Sequence, residues 1–273
     1  KDNLAQSQVH NLIKEADVVV SNFNETAGEK LAMNAGRLKA LNPQLIFAHL
    51  SAFESGNDRP AYDIVLQAET GFLSMSGTKA GELCRMPVAL IDLLAAHQLK
   101  EGILVALIKR MKTGKGSTVK VNLYSSALAS LANQATNYLI AGAVAKPLGT
   151  EHPNIAPYGD IFTLADNERI VLAVGTDRQF ANLCEALKIT LPLELSTNEG
   201  RVVNRSDVVN LLKGPLSHCS LEEVLLLCES KRIPIGHVKN MQQVFAEASA
   251  QMNLLMYEDG QQAVRTVVFS IED

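Results

Sequence analysis

Asp92 is the residue best placed to do chemistry. It is the only charged side chain in the run Met86-Pro87-Val88-Ala89-Leu90-Ile91-Asp92-Leu93-Leu94-Ala95-Ala96. A carboxylate among aliphatic residues is costly to bury unless it is paired, caps a helix or does chemistry. Two readings fit this sequence. In one, Asp92 is the N-cap of the apolar helix that follows, a position that favours Asp. In the other, it is a nucleophile or acid–base group at the edge of a dry cleft. The two are compatible, because a carboxylate at a helix N-terminus stays ionised.

Other residues could join it. Asp63 lies in Arg59-Pro60-Ala61-Tyr62-Asp63-Ile64, where it also suits the first turn of a helix. Asn22 and Phe23 directly follow a short apolar strand, the place where open α/β sheets bind ligands. Their structural alternative is a turn and a core aromatic. Lys30, Arg37, Arg59 and Arg85 sit near loops. Singly each is a solvated charge; together they suit phosphates.

Several other signals fail on inspection. Thr113-Gly114-Lys115-Gly116-Ser117 looks like a phosphate loop, but Lys109 stands where the first glycine belongs and Gly116 where Ser or Thr belongs. A tight turn from helix to strand accounts for it better. No dinucleotide fingerprint, nucleophile elbow or zinc-protease motif is present, and the six histidines are scattered. Cys84, Cys184, Cys219 and Cys228 show no metal-like spacing. They read as reduced, mostly buried thiols, so no metal is expected.

The elements that must hold these residues follow from pattern. Asp17–Val20 and Leu45–Leu50 read as buried strands, and the alternation from Thr118 to Leu123 as a third. Between them Ala27 to Leu41 reads as a helix stopped by Asn42-Pro43. Tyr62 to Met75 is a further helix. Asp92 to Met111 is apolar nearly all round, which predicts a buried helix. Ala127 to Ala141 is a helix of small residues. Strand and helix in this rhythm mean α/β with a largely parallel sheet.

After residue 145 the rhythm breaks. A Pro- and Gly-rich loop, His152 to Gly159, precedes Ile161–Thr163, a turn at Asp166-Asn167 and the strand Ile170–Val174. Helices are then expected at 177–187, 206–212 and 220–230, with Ser206 and Ser220 as N-caps and Glu223 closing a capping box. The chain thus reads as a Rossmann-like parallel-sheet large domain (1–145), a smaller α+β domain (146–252) and the start of a return segment (253–273). It opens in a polar helical segment and closes on a strand at Val267–Ile271, so its ends read as those of a fragment.

Composition bounds the class. The 273 residues are 47 % hydrophobic and 20 % charged, which marks an ordinary globular protein. A net charge of −4 argues against a broad nucleic-acid or anionic-membrane surface. No apolar run approaches the ~18–20 residues needed to span a bilayer. Lys1-Asp2-Asn3-Leu4 lacks a signal-peptide layout. The cytoplasm, or an organelle matrix, is the expected compartment.

Read in order, the segments resemble the family III CoA-transferases, the group containing formyl-CoA transferase and carnitine CoA-transferase. The matching landmarks are Ala16 to Phe23, Leu41 to Ile46, Ser51-Ala52-Phe53, Arg59 to Asp63, Met75-Ser76-Gly77, Val88 to Leu93, Thr113 to Gly116, Gly149 to Tyr158, and Asn204-Arg205. The likeness is nearest to the succinyl-CoA:glutarate branch, through Gln134 to Leu139 and Gln179-Phe180.

The resemblance implies that Asp92 is the catalytic nucleophile and that Tyr62 and Asp63 form the active-site wall. Asn22, Phe23 and Lys30 would line the CoA groove, with Ser51, Phe53, Arg59 and Arg85 among the substrate contacts and Met75 near the adenine. Arg59 or Arg85 would grip a substrate carboxylate. His152, Pro153, Asn154, Tyr158 and Gly159 would lie in a mobile loop, although a run of glycines seen in some members is missing. It further implies an acyl-CoA and a small carboxylic acid as substrates, an interlocked homodimer and no prosthetic group. Two rivals stand beside it. An α-methylacyl-CoA racemase would carry a histidine where this chain has Tyr62, and tyrosine is a poor base at neutral pH. A catalytically inactive CoA-binding scaffold is the other.

Overall fold

A computed structural model of the chain describes residues 3–272. The Lys1-Asp2 part of the N-terminal reading lies outside them. The chain divides after Gly149 into two compact units.

The first unit is built on three parallel strands, β1 (Val18–Ser21), β2 (Ile46–Ser51) and β3 (Thr118–Asn122), in that spatial order. β2 is central, and Ile46, Phe47 and Ala48 are buried. The helices are α1 (Asn3–Glu15), α2 (Glu25–Lys30), α3 (Ala35–Leu41), α4 (Asp63–Glu69), α5 (Phe72–Met75), α6 (Leu90–Thr113), α7 (Leu123–Ala129) and α8 (Ala132–Ala141). Ile13, Leu38, Leu45 and Phe47 pack on one side of the sheet. Leu66, Ile91, Ala95 and Leu123 form the other core.

Three predicted helices are each broken in two. Ala27–Leu41 divides where Ala32 turns left-handed at φ 55°, and Asn34 starts α3 by accepting the Arg37 N–H at 2.9 Å. Tyr62–Met75 divides at Gly71, φ 88°. Ala127–Ala141 divides at Ser130-Leu131, ahead of Ala132 at φ 49°. The long helix α6 is continuous but not buried all round. It buries Ile91, Ala95, Leu99 and Ala106 and leaves Leu93, Leu104, Val105, Ile108 and Met111 exposed. Apolar composition in a helix does not say how many faces are covered. The turn expected after it is present. A Cβ on Gly116 would lie 2.0 Å from the Leu45 carbonyl oxygen, so only glycine fits that crossing.

The second unit centres on an antiparallel sheet of β4 (Tyr158–Thr163), β5 (Arg169–Ala173) and β6 (Ile235–His237). Helices α9 (Asp177–Ala186), α10 (Asn198–Val203), α11 (Arg205–Leu216) and α12 (Leu221–Ser230) follow β5, and Phe180, Leu183, Val208, Leu212 and Cys228 fill its core. Ser220 and Glu223 form the expected capping box. Ser206 is not a cap, because α11 begins one residue before it. Short helices α13 (Met241–Phe245) and α14 (Ala248–Gln251) lead to a hairpin of β7 (Leu254–Met256) and β8 (Gln262–Val264). Val267–Ile271 is not a strand; Val267, Val268, Phe269 and Ile271 are exposed and pair with nothing in the sheets. Among the described residues no helix is long and apolar enough to cross a membrane.

Candidate functional site

Both β1 and β2 end at one cavity of about 450 Å³. Asn22 and Phe23 reach it from the end of β1, and Ser51 and Phe53 from the end of β2. This is the carboxyl edge of a parallel sheet, where side chains from successive loops converge. Arg59, Tyr62 and Asp92 complete the wall. Seven of the expected site residues therefore meet at one place.

Asp92 is the third residue of α6, and its side chain is exposed to the cavity rather than buried. Nor is it the cap. The N-cap position is Ala89, which has no side-chain hydrogen bond to offer. The cap comes from a distant residue. Asp63, the first residue of α4, accepts the Ile91 N–H at 2.7 Å and lies 3.4 Å from the Asp92 nitrogen through the same oxygen, Oδ1. A carboxylate beside the first N–H groups of a helix satisfies donors that the helix itself leaves open.

Asp63 is thus half-buried behind the start of α6 and does not line the cavity. Its other oxygen, Oδ2, accepts the Nε2–H of Gln67, one turn along the same helix. Gln67 is almost wholly buried, and its Oε1 accepts the Met86 N–H at 3.0 Å. Sequence reading missed Gln67; its signal was the i, i+4 spacing from Asp63, which puts both on one helix face. The Asp92 carboxyl is held above the ordinary carboxylate range, first by loss of hydration against the protein wall and then by the Asp63 charge.

Arg59 is held from two sides. Its guanidinium carbon lies 4.4 Å over the Phe53 ring, and Nη1 and Nη2 grip the two oxygens of Glu69 at 2.8 and 2.5 Å. His49, also missed, lines the same cavity from the end of β2. Its Nε2 lies 2.8 Å from the Phe23 carbonyl oxygen, which only accepts, so that nitrogen carries the proton. The bond ties the Phe23 turn to β2.

The remaining expected residues lie elsewhere. Lys30 lines a second groove with Val9, Leu31 and Met33, and Phe23 lines both. Met75 and Arg85 line another, with Cys84 and Gln134. The loop residues His152, Pro153, Asn154, Tyr158 and Gly159 belong to the second unit, where side chains of α10 and α11 pin the segment. Asn198 bonds the Asn154 carbonyl and the Ala156 N–H. The wholly buried Arg201 donates to the Ala156 carbonyl at 2.7 Å, and Arg205 to the His152 carbonyl at 2.6 Å. Among the described residues no cluster of three or more His, Cys, Asp or Glu is arranged to hold a metal ion.

Comparison with known proteins identifies relatives of this chain. The family model for CoA-transferase family III matches residues 1–271. A succinate–glutarate CoA-transferase of Agrobacterium fabrum is 32 % identical over 249 residues, 89 % of this chain and 62 % of that protein. A human succinyl-CoA:glutarate CoA-transferase is 32 % identical over 266 residues, 94 % of this chain and 60 % of its own length. The chain therefore spans less than two thirds of either relative. A solved CAIB/BAIF family protein from Brucella suis superposes with a TM-score of 0.87 at 31 % identity, covering all of this chain and 74 % of that one. Sequence and fold agree: the chain belongs to CoA-transferase family III.

Proposed function

We propose that this protein moves CoA from an acyl-CoA thioester, with succinyl-CoA as donor, to a small carboxylic acid such as glutarate. The observation that carries the reading is the placement of Asp92, on the first turn of α6, open to the cavity that receives the ends of β1 and β2.

One carboxylate suffices for the chemistry. An Asp92 oxygen attacks the thioester carbonyl, the C–S bond breaks, and CoA leaves as a thiolate with the electron pair. The product on the protein is a mixed anhydride. The thiolate then attacks the aspartyl carbonyl, forming an aspartyl-CoA thioester and releasing the donor acid as its carboxylate. The acceptor carboxylate attacks that thioester and expels the thiolate. The thiolate attacks the acyl carbonyl of the new anhydride, which releases acyl-CoA and restores Asp92. Covalent catalysis divides one hard exchange into easier steps. One thioester replaces another, so no nucleotide hydrolysis is needed.

The pocket supports this assignment in two ways. Its floor is polar at the strand ends and aromatic at Phe23 and Phe53, which suits a thioester with an aliphatic arm. Tyr62 is four-fifths exposed and lines the same cavity as Asp92, and it occupies the sequence position where a racemase would need a base. Arg59 is the cation nearest in kind to a carboxylate receptor, and the homodimer of the family is the form in which we expect the enzyme to work.

The test is intact-protein mass spectrometry after mixing the whole protein with succinyl-CoA, followed by hydroxylamine trapping and peptide mapping. A hydroxamate on Asp92, absent in Asp92→Ala, is the expected result. CoA transfer at an undiminished rate in a folded Asp92→Ala protein would overturn the assignment.

A further inference from the structure

The hydrogen-bond chain behind Asp92 has a fixed direction. Both of its ends are backbone N–H groups, Met86 at one and Ile91 at the other. Neither can accept. The Met86 N–H therefore orients Gln67 with Oε1 toward it, which leaves Nε2–H pointing at residue 63. Residue 63 then faces donors on both sides and must accept with two separate oxygens. An ionised carboxylate does this. A protonated acid or an amide would set an O–H or N–H against another donor, and an unmatched donor in a buried network is costly.

From this geometry we infer that Asp63 is a positioning residue that accepts through both oxygens as a carboxylate, and that its negative charge beside the first turn of α6 disfavours the free Asp92 carboxylate and so favours its covalent, neutral aspartyl forms. The inference rests on the reading of Asp92 as nucleophile. When Asp92 is acylated its negative charge is gone, having left with the CoA thiolate and then with the released acid. Repulsion from Asp63 acts on the resting enzyme and is relieved in the anhydride and the aspartyl-CoA thioester. The Asp92 carboxyl is displaced upward first by lost hydration and second by the Asp63 charge, and the second contribution acts in this same direction. The other charged or titratable groups on the cavity wall are Glu25, Glu54, Asp58, His49, Arg59 and Tyr62. Arg59 is already engaged by Glu69, so it does not cancel the Asp63 charge.

The experiment measures the equilibrium fraction of whole protein carrying the aspartyl-CoA adduct at a fixed ratio of succinyl-CoA to succinate, by intact mass. Wild type, Asp63→Asn and Asp63→Glu are compared. Asp63→Asn should lower the adduct equilibrium constant roughly threefold or more, the scale of one like-charge interaction near a protein surface. Asp63→Glu, which keeps the charge, should stay close to wild type. If Asp63→Asn does not fold, Asp63→Ser supplies a neutral acceptor to the Ile91 N–H, and the same fall is expected. A wild-type adduct fraction in the neutral variant overturns the proposal, and so does an equal loss in Asp63→Glu. An absence of adduct in the wild type overturns the Asp92 reading itself, and this proposal with it.

Discussion

Arg59 and Glu69 meet end to end, both guanidinium Nη atoms on both carboxylate oxygens, with side chains about half and one-third exposed. An exposed ion pair is screened by water and contributes little net stability, so another carboxylate can exchange for Glu69 on the same fork. On the proposed function, a dicarboxylate acceptor that reaches Arg59 competes with the protein's own acid. Glu69→Gln should therefore lower KM for dicarboxylate acceptors relative to monocarboxylates of equal chain length, with little change in stability. Steady-state kinetics on the paired acids checks it; equal KM changes for both would assign Glu69 a purely structural role.

On the proposed mechanism Asp92 must be ionised to attack. Its carboxyl is held above the ordinary range, first by lost hydration and then by Asp63. The ionised fraction thus falls off at a higher pH than for a free aspartate, about 3.9. The acid limb of the acylation rate should lie above that value and move down in Asp63→Asn. Single-turnover rates across pH 3.5 to 7 would show it.

The second unit depends on a buried cation. Arg201 is wholly buried, with donors on the Ala156 and Leu195 carbonyls and on Asp177 at 2.8 Å, and its guanidinium lies over Phe180. Arg201→Met would fill the space and leave two carbonyls without donors. A loss of about 3 kcal/mol is expected, read from urea unfolding followed in the second unit. Arg201→Lys should recover less than half of it, because an ammonium cannot span those three acceptors.

Acid should weaken the same unit. Asp166 accepts the Leu221 N–H at 2.8 Å, and Glu223 the Ser220 N–H at 2.8 Å; both carboxyls are held below their ordinary range by these bonds. Folded values below unfolded ones give stability that is present above the unfolded pKa and lost as pH falls through the folded pKa. Tm should decline from about pH 4.5 downward, and less steeply in Asp166→Asn. An unchanged slope would remove Asp166 from the account.

The four thiols should separate by reactivity. Cys84 is exposed, whereas burial pushes Cys184 and Cys228 up to about 11 and also raises Cys219. Thiolate is the reactive form. Ellman's reagent should titrate one thiol quickly in the native protein and the rest only on unfolding.

The three strands of the first sheet were legible because Val18–Val20, Ile46–Leu50 and the Thr118–Asn122 alternation carry the pattern themselves. Helix ends were not. The breaks at Ala32, Gly71 and Ser130 follow from backbone angles that hydrophobic period does not report. Asn22, Phe23 and Asp92 could be brought together from a strand end and one odd carboxylate, whereas Ser51 and Phe53 were implied only by the family resemblance. The exposure of Asp92 could not, since its apolar neighbours Leu93 and Leu94 do not reveal which face of α6 the cavity takes. Its cap was invisible for a different reason. It comes from Asp63, through a contact that only the folded chain makes, while the local sequence offered Asp92 itself. His49 went unread although its strand was recognised, because a lone histidine gives no local sign of what lies opposite.

The directional chain from Met86 to Ile91 also constrains heredity. With a backbone donor at either end, positions 63 and 67 are coupled, and a change of hydrogen-bonding type at one alone strands a donor. Their substitution effects should not add: in a library randomised at both positions, survivors should appear as matched pairs, and the double change Asp63→Ser with Gln67→Leu should cost less than the sum of its parts.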